Sequence, residues 1–169
     1  MKEIPLTQGQ VALVDDEDFE KVNQYKWCAC WYHKPETFYA KRGLDKDDGT
    51  RTTQFMHRFI LNTPRGKQVD HRNHNGLDNT KGNIRVVTNS QNSLNARKRK
   101  GSSSQYKGVH KQNQRWYARI SHGNNSDCRY DHIGMFYTEL EAALAWDERA
   151  RNDRSYYRLC NFPIPSGAV

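Results

Sequence analysis

One stretch in the middle of the chain constrains the fold more than any other. Gln68–His71 and Ile84–Val87 have the character of short strands, and the polar loop between them contains two glycines. Thr88 then fits a helix N-cap, with Gln91 three residues later as in a capping box. The pattern predicts a β-hairpin followed by a helix, which brings Asn92, its fourth residue, back over the end of the first strand.

The polar residues of this stretch suit phosphodiester hydrolysis. His71 offers an imidazole, whose ordinary pKa of about 6.5 lets it deprotonate water at neutral pH. Asp70 and Asn92 offer oxygen ligands, which favour Mg²⁺ or Mn²⁺ over zinc. Asn83 is expected to brace the loop by hydrogen bonds to backbone, and Arg85 to contact a phosphate. Because neighbouring strand residues point to opposite faces, Asp70 and His71 can serve one phosphate only if the strand bends or ends there.

Four other polar residues of the loop are expected to have no catalytic role. His74 is predicted to be a solvated side chain. Asn75, Asp78 and Asn79 are predicted to form turns rather than to bind a metal.

Positive charge is concentrated around the same stretch. Residues 1–50 carry 7 basic and 10 acidic side chains, residues 51–100 carry 11 and 2, and residues 101–169 carry 9 and 7. The run Arg97-Lys98-Arg99-Lys100 lies in the most basic third. A polyanion, most commonly the backbone of DNA or RNA, is the expected partner, and a solvated basic surface is the alternative.

Composition favours two modest modules over one large core. The chain has 169 residues, of which 35% are hydrophobic, and its mean hydropathy is -1.06. No apolar run is long enough to span a membrane and the N-terminus lacks the apolar stretch of a signal peptide, so we expect a cytoplasmic protein with no membrane partner. Cys28 and Cys30 would share one face of a strand as half-buried core thiols rather than zinc ligands.

The first sixty residues predict short strands around one acidic helix that begins at Asp15. A polar loop, residues 43–49, is expected before the last of these strands, and a short apolar helix after it. The predicted strands are residues 4–7, 10–14, 27–32, 37–42 and 52–56, and the apolar helix is residues 57–61.

The C-terminal part predicts three antiparallel strands and one helix. The strands are residues 106–109, 115–120 and 132–136. Thr138 with Glu141 would cap a helix of about twelve residues. The alanines of this helix would let the helix lie close on the sheet, and one tryptophan lies among them. The residues are Ala142, Ala143, Ala145, Trp146 and Ala150. Trp116 suits the core and a DNA contact equally well.

Residues 56–95 resemble the HNH nucleases, particularly the phage and intron-encoded HNH homing endonucleases with a ββα-metal fold. In that family an acid precedes the catalytic histidine, an asparagine braces the loop and a helix residue completes the metal site. The resemblance implies these roles for Asp70, His71, Asn83 and Asn92. Since the helix residue is asparagine rather than histidine, the chain would be an H-N-N variant from a phage-infected or bacterial host cell.

Residues 102–163, ending in Asn161-Phe162-Pro163, resemble the plant ethylene-response-factor type of DNA-binding domain, which is also found fused to phage HNH endonucleases. In that family the three-stranded sheet enters the major groove. The resemblance implies that Lys107, His110 and Arg119 contact bases, although they differ from the residues common in the plant proteins. Lys111 and Arg115 are expected to contact phosphates.

The predicted fold is α+β, with a β-rich N-terminal region leading into a ββα-metal module, followed by a three-stranded antiparallel sheet packed on one helix. The predicted divisions are a β-rich region at 1–55, an HNH module at 56–96, a basic linker at 97–104 and an ethylene-response-factor-like domain at 105–163. Residues expected to contact DNA are Arg85, Arg97, Lys98, Arg99, Lys100, Lys107, His110, Lys111, Arg115 and Arg119.

Together these features predict a site-specific, metal-dependent endonuclease of the homing type that acts on double-stranded DNA as a monomer or homodimer. One catalytic set per chain would nick one strand, and a double-strand break would need a dimer or two events. As in the family, the products would carry 5′-phosphate and 3′-hydroxyl ends. The alternatives are a non-cleaving DNA-binding regulator on a decayed nuclease scaffold and an RNA-processing nuclease.

Overall fold

Small antiparallel sheets and four α-helices make up the described part of this α+β chain, which confirms the predicted fold class. The computed structural model describes residues 1–98, 101–122, 129–153 and 159–162. It divides into two compact units, Met1–Asn89 and Ser90–Val169. The predictions that concern Arg99, Lys100 and Pro163 lie outside the described residues.

The first unit contains a two-stranded sheet, a three-stranded sheet and the predicted hairpin. The strands pair as β1-β2, β3-β4-β5 and β6-β7, all antiparallel. In chain order the elements are β1 (Lys2–Pro5), β2 (Val11–Val14), α1 (Asp16–Asn23), β3 (Cys28–Tyr32), β4 (Thr37–Asp45), β5 (Arg51–Phe55), α2 (Met56–Ile60), β6 (Gln68–His71) and β7 (Ile84–Val87).

One apolar core serves the whole first unit. Val14 from β2, Val22 from α1 and Met56 from α2 are fully buried, and they belong to one cluster with Ile84 of β7. Burial of apolar side chains is the main favourable contribution to folding. The N-terminal region and the predicted nuclease module therefore fold around shared side chains.

The second unit contains one three-stranded sheet and α4, which packs on it. The order of the sheet is β10-β9-β8, and all pairs are antiparallel. Thr138 and Glu141 form the predicted capping box, and the helix runs for 14 residues. The elements are α3 (Asn89–Asn95), β8 (Val109–Gln112), β9 (Arg115–His122), β10 (Arg129–Phe136) and α4 (Glu139–Asn152).

Close packing on the sheet uses the small residues of α4, as predicted. Ala142, Ala143 and Ala150 are buried, and Trp146 is 2% exposed. Trp146 also explains why β8 begins at Val109 rather than at residue 106. Gly108 has a φ of +76°, and a Cβ on it would lie 1.8 Å from the indole nitrogen of Trp146, so only glycine fits there.

Two predictions for the first unit are wrong in detail. β4 continues to Asp45, because the ladder with β5 extends to the pair Asp45 and Arg51, so the predicted loop shortens to a tight turn. Ala29 holds the core-facing position of β3, whereas Cys28 is exposed and Cys30 is half-buried on the opposite face. The two thiols are therefore not core residues.

Trp116 lies on the side of its sheet that faces α4. It is partly buried against the second core cluster, which includes Val109 and Ile120. Its position favours a packing role over a direct contact with a ligand on the other face.

Among the described residues, no helix combines the length and the apolar character needed to cross a bilayer.

Candidate active site

Asp70 and His71 are the last two residues of β6, and both are nearly buried. Their exposed fractions are 6% and 5%. β6 ends at His71, and the chain turns directly afterwards, where Arg72 donates its backbone N–H to Asn83. The predicted end of the strand is thus present directly after His71, while Asp70 and His71 themselves still pair with β7 in the ladder.

Asp70 is paired with Arg85, the residue directly opposite it on β7. The Nε and Nη2 atoms of Arg85 donate to the same carboxylate oxygen, at 2.9 and 2.7 Å. Both side chains are largely buried, with 11% of Arg85 and 6% of Asp70 exposed. The charged hydrogen bonds therefore hold the carboxylate in one orientation at the strand end.

Asn83 braces the loop between the two strands, as predicted. Its Oδ1 accepts a hydrogen bond from the backbone N–H of Asn73 at 3.0 Å, and its Nδ2 donates to the backbone oxygen of Asp78 at 2.8 Å. The side chain is 7% exposed, so these bonds form away from most of the solvent. One amide side chain thereby ties the two halves of the loop together.

The predicted turn formers are confirmed. Asn75 Oδ1 accepts from the backbone N–H of Leu77, and Asp78 Oδ1 accepts from both the N–H and the hydroxyl of Thr80. Asn79 is 1% exposed and donates to the backbone oxygen of Leu77. These local bonds fix the path of the loop without a regular strand or helix.

The loop is also anchored to the N-terminal hairpin. Leu13 in β2 donates to Leu77 and accepts from Asn79 through backbone bonds of 2.8 Å each, which makes an isolated parallel bridge. Lys81 adds a backbone bond to the Asp15 carboxylate. The N-terminal region therefore positions the loop that carries the candidate site.

On its other side the loop packs against β4. The backbone N–H of Gly76 donates to Thr37 Oγ1 at 3.1 Å. A Cβ at Gly76 would lie 2.4 Å from the backbone oxygen of Phe38 and 2.6 Å from the ring of Tyr39, so a larger residue would push the loop away. This contact holds the loop close against β4.

His71 lies among aromatic rings that were not predicted to belong to the site. Its ring centroid is 5.5 Å from that of Tyr39 and 5.1 Å from that of His57. Burial lowers the pKa of His71, while the Asn79 side chain and the negative charges of Asp70 and Asp78 act in the opposite direction. Because burial dominates, the imidazole is in its neutral, proton-accepting form at neutral pH.

His57, on the short helix α2, is 8% exposed. Burial, and after it the proximity of His71 and Arg58, lowers its pKa to about 3. A histidine between Met56 and the apolar end of a short helix was the one sign in the sequence that could have drawn attention to it. Tyr39 carried no comparable sign. His74 is half-buried near His71 rather than solvated as predicted.

Asn92 is the fourth residue of α3, as predicted, and belongs to the second unit. The C-terminal end of this helix is held by Lys107, whose Nζ donates to the backbone oxygens of Leu94 and Ala96 at 2.6 and 2.9 Å. A lysine in this position satisfies helix carbonyls that have no partner within the helix. Lys107 therefore lies before β8 and contacts α3, rather than lying in the sheet.

Several of the residues predicted to bind DNA share the face of the C-terminal sheet that is turned away from α4. His110 pairs with Tyr117 and is stacked on it, with ring centroids 5.6 Å apart. Arg115 lies over the ring of Tyr137 at 3.5 Å, and Arg119 lies over that of Tyr130 at 4.3 Å. Lys111 lies on the opposite face, over Trp116. Of the basic run, Arg97 and Lys98 are described, and both follow α3 without regular structure.

Three carboxylates outside this site, those of Asp15, Glu17 and Asp18, have oxygen atoms within 4.8 Å of one another. Lys81 Nζ lies 2.6 Å from Glu17 and 3.2 Å from Asp18. The lysine thus balances much of the negative charge of this group.

Comparison with known proteins finds similarities that include this hairpin. Residues 62–94 match a family model described as HNH endonuclease. An uncharacterized HNH endonuclease of Acanthamoeba polyphaga mimivirus is 34% identical over 110 residues, which are 62% of this chain and 51% of that protein. The chain thus spans about half the length of this relative. No solved structure gives a significant match.

Proposed function

We propose that this protein is a metal-dependent, site-specific DNA endonuclease of the homing type, in which the His71 hairpin cuts the strand and the C-terminal unit selects the target. The observation that carries the proposal is the pairing of a buried acid and a buried, neutral histidine, Asp70 and His71, at the end of β6. Asn83 braces the loop that follows them, and all three residues fall within the segment that matches the HNH endonuclease family.

His71 acts as the general base. It accepts a proton from water, and the resulting hydroxide attacks phosphorus and displaces the 3′ oxygen, so the products carry a 5′-phosphate and a 3′-hydroxyl. Burial favours the neutral ring at neutral pH, which is the form that can accept a proton. Asn83 acts indirectly, by holding the loop that begins after His71.

Asp70 and Asn92 would hold a divalent ion, Mg²⁺ or Mn²⁺. Their oxygen donors are the kind that a hard cation prefers in proteins. When bound, such an ion stabilises negative charge on the phosphoryl and leaving oxygens. Arg85 holds the Asp70 carboxylate in one orientation for that role.

The C-terminal unit supplies the affinity for double-stranded DNA. Its three-stranded sheet presents His110, Arg115 and Arg119 on the face that is turned away from α4. This arrangement supports the ethylene-response-factor-like mode, in which such a sheet enters the major groove. Arg97 and Lys98 would contact phosphates, and the tethering raises the local concentration of the nuclease near its target.

The test is cleavage of DNA by the full chain. Total DNA from candidate hosts is incubated with the protein and Mg²⁺, and new ends are mapped by sequencing. We expect discrete cuts that disappear with EDTA and with His71→Ala, whereas His33→Ala, at an exposed histidine of the same unit, cuts normally. Tight binding without any cut by the unaltered protein would instead support a regulator.

Metal binding is tested separately from activity. Mn²⁺ binding to the full chain is followed by electron paramagnetic resonance of the free ion. Asp70→Asn and Asn92→Ala should each weaken it about tenfold or more, whereas Asp47→Asn, at an exposed acid, should leave it unchanged. Equal affinities for all four proteins would remove Asp70 and Asn92 as ligands.

A further inference from the structure

His71 is bordered by two rings, Tyr39 of β4 and His57 of α2, which also contact each other. Phe55, the last residue of β5, contacts both of these rings, and the three side chains are here called the aromatic wall. Tyr39 lies 6.0 Å from Phe55 and 5.6 Å from His57, measured between ring centroids. All three precede residue 62, where the match to the HNH endonuclease family begins.

We propose that Tyr39 and His57 are positioning residues that hold the imidazole of His71 in the orientation needed to take a proton from water. This inference rests on the proposed function, because it assigns the two rings a task in that reaction. It goes beyond that function by placing the task on residues outside the matched segment. The two rings contact His71 and would act through it, so neither is called catalytic.

The geometry restricts the His71 ring from two directions. The His57 ring meets it edge-on, at an interplanar angle of 85°, and the Tyr39 ring is tilted by 58°. Aromatic rings at such distances favour edge-to-face arrangements, so both contacts are attractive as well as steric. Since a general base works only in a narrow range of positions, restraint of its ring contributes directly to the rate.

The wall itself is held rigidly. His57 is stacked on Phe55 with ring planes only 13° apart and centroids 5.3 Å apart. Tyr39 is packed so closely against the active-site loop that a Cβ on Gly76 would lie 2.6 Å from its ring. The support of His71 therefore continues into β4, β5 and the loop.

His57 also lowers the stability of the fold, and its packing alone does not explain why a histidine stands there. Its Nδ1 is buried and has no hydrogen-bond partner among the residues that the structure describes. A buried polar atom without a partner destabilises the fold, and an apolar side chain of similar size would avoid that. Retention of a residue that lowers stability is typical of positions that serve activity.

The decisive variants separate ring shape from volume. His57→Leu has nearly the volume of histidine without a planar ring, and His57→Phe restores a ring. Tyr39→Leu and Tyr39→Phe make the same comparison on β4. Trp31→Leu is the matched control, because Trp31 makes an edge-on contact with Phe38 in the same unit, at 5.0 Å. All are made in the full chain, and circular dichroism checks that each folds.

Two readouts are followed. The first is the order parameter of the His71 ring C–H bonds, from carbon-13 relaxation in the metal-free protein without DNA. The second is the single-turnover cleavage rate at saturating Mg²⁺ and DNA, together with the DNA Kd. A side chain that serves only the fold would change the unfolding midpoint but neither readout.

We expect both leucine variants to lower the order parameter of His71 and to slow cleavage at least tenfold, with the Kd for DNA changed less than twofold. The phenylalanine variants should keep the order parameter and most of the rate, and Trp31→Leu should change neither. An unchanged His71 order parameter in His57→Leu, or equal losses in the leucine and phenylalanine variants, would overturn the proposal.

The relaxation measurement also separates this inference from the proposed function. If the unaltered protein cuts no DNA, the proposed function fails, whereas the order parameter of His71 still shows whether the wall holds the ring. If the unaltered protein cuts and the order parameter does not respond, the wall proposal alone fails.

Discussion

Arg85 places its Nε and Nη2 on one and the same oxygen of Asp70, at 2.9 and 2.7 Å. The two residues are direct partners in the β6–β7 ladder, so the hairpin register creates the pair. Removal of one member of a buried ion pair leaves the other charge buried without compensation, which costs more than the pair itself contributes. The candidate metal ligand therefore depends on an arginine of the neighbouring strand.

Replacement of Arg85 should destabilise the first unit strongly. For Arg85→Ala we expect a loss of about 3 kcal/mol in the free energy of unfolding, because the Asp70 carboxylate stays buried. Urea denaturation of the full chain measures this change in the free energy of unfolding. The control is Arg51→Ala, which removes a pair with Asp45 that is mostly exposed, and should cost about 0.5 kcal/mol or less. Similar losses in both variants would contradict this account of the buried pair.

Replacement of Asn83 should loosen the loop between β6 and β7. Its side chain joins Asn73 to Asp78, so Asn83→Ala should free the loop and leave a partly buried N–H and a partly buried carbonyl with one partner fewer. We expect about 1–3 kcal/mol of destabilisation, and amide exchange at Asn73 should speed up by more than exchange in β1 does. Hydrogen exchange followed by NMR measures both.

The control for Asn83 is Asn23→Ala, at an exposed position near the end of α1. It should leave the exchange of Asn73 unchanged. If Asn73 exchanges at the same rate in Asn83→Ala as in the unaltered chain, the side chain does not brace the loop.

Local patterns predicted the parts of the fold that depend on neighbours in sequence. The hairpin from Gln68 to Val87 and the capping box at Thr138 both follow from a few adjacent residues, and both are confirmed. The start of β8 was wrong because it depends on Trp146, which lies far along the chain and excludes any side chain at Gly108. Such a contact between residues far apart in sequence cannot be predicted from local propensity.

In the candidate site, too, residues that are close in sequence could be predicted and residues brought together by tertiary packing could not. Asp70, His71 and Asn83 could be predicted because they lie within one hairpin and its loop. Tyr39 and His57 could not, because they reach His71 only through the packing of β4 and α2 against that loop. The strand register places Arg85 opposite Asp70, so the ion pair could have been predicted from the hairpin. The positive charge of Arg85 led instead to the prediction of a phosphate contact.

His57 makes stability depend on pH. Burial lowers its pKa from about 6.5 to about 3, so between these values the unfolded chain binds a proton that the folded chain does not. The free energy of unfolding should therefore be greatest above pH 6.5 and fall as the pH drops through this window. At pH 4.5 the loss from His57 is on the order of 3 kcal/mol.

The pH effect is measured as the difference between two profiles of unfolding free energy against pH. His57→Phe should lose much less stability than the unaltered chain between pH 7 and pH 4.5, since only the His57 contribution is removed. His33→Phe, at an exposed histidine, should follow the unaltered chain. Parallel profiles for His57→Phe and the unaltered chain would show that His57 is not buried in its neutral form.

Arg119 tests which face of the C-terminal sheet meets DNA. It lies over Tyr130, on the face turned away from α4, where Tyr130 is 48% exposed. Arg149 carries the same charge on α4 and pairs with Asp131 at 3.2 Å, so it is a matched control for loss of charge. Arg119→Ala should weaken DNA binding about tenfold and lower the slope of log affinity against log salt by about 1, because one phosphate or base contact is lost. Arg149→Ala should change the affinity less than twofold. Fluorescence anisotropy with a labelled duplex at several salt concentrations measures both, and equal losses in the two variants would mean that total charge, and not this sheet face, determines the binding.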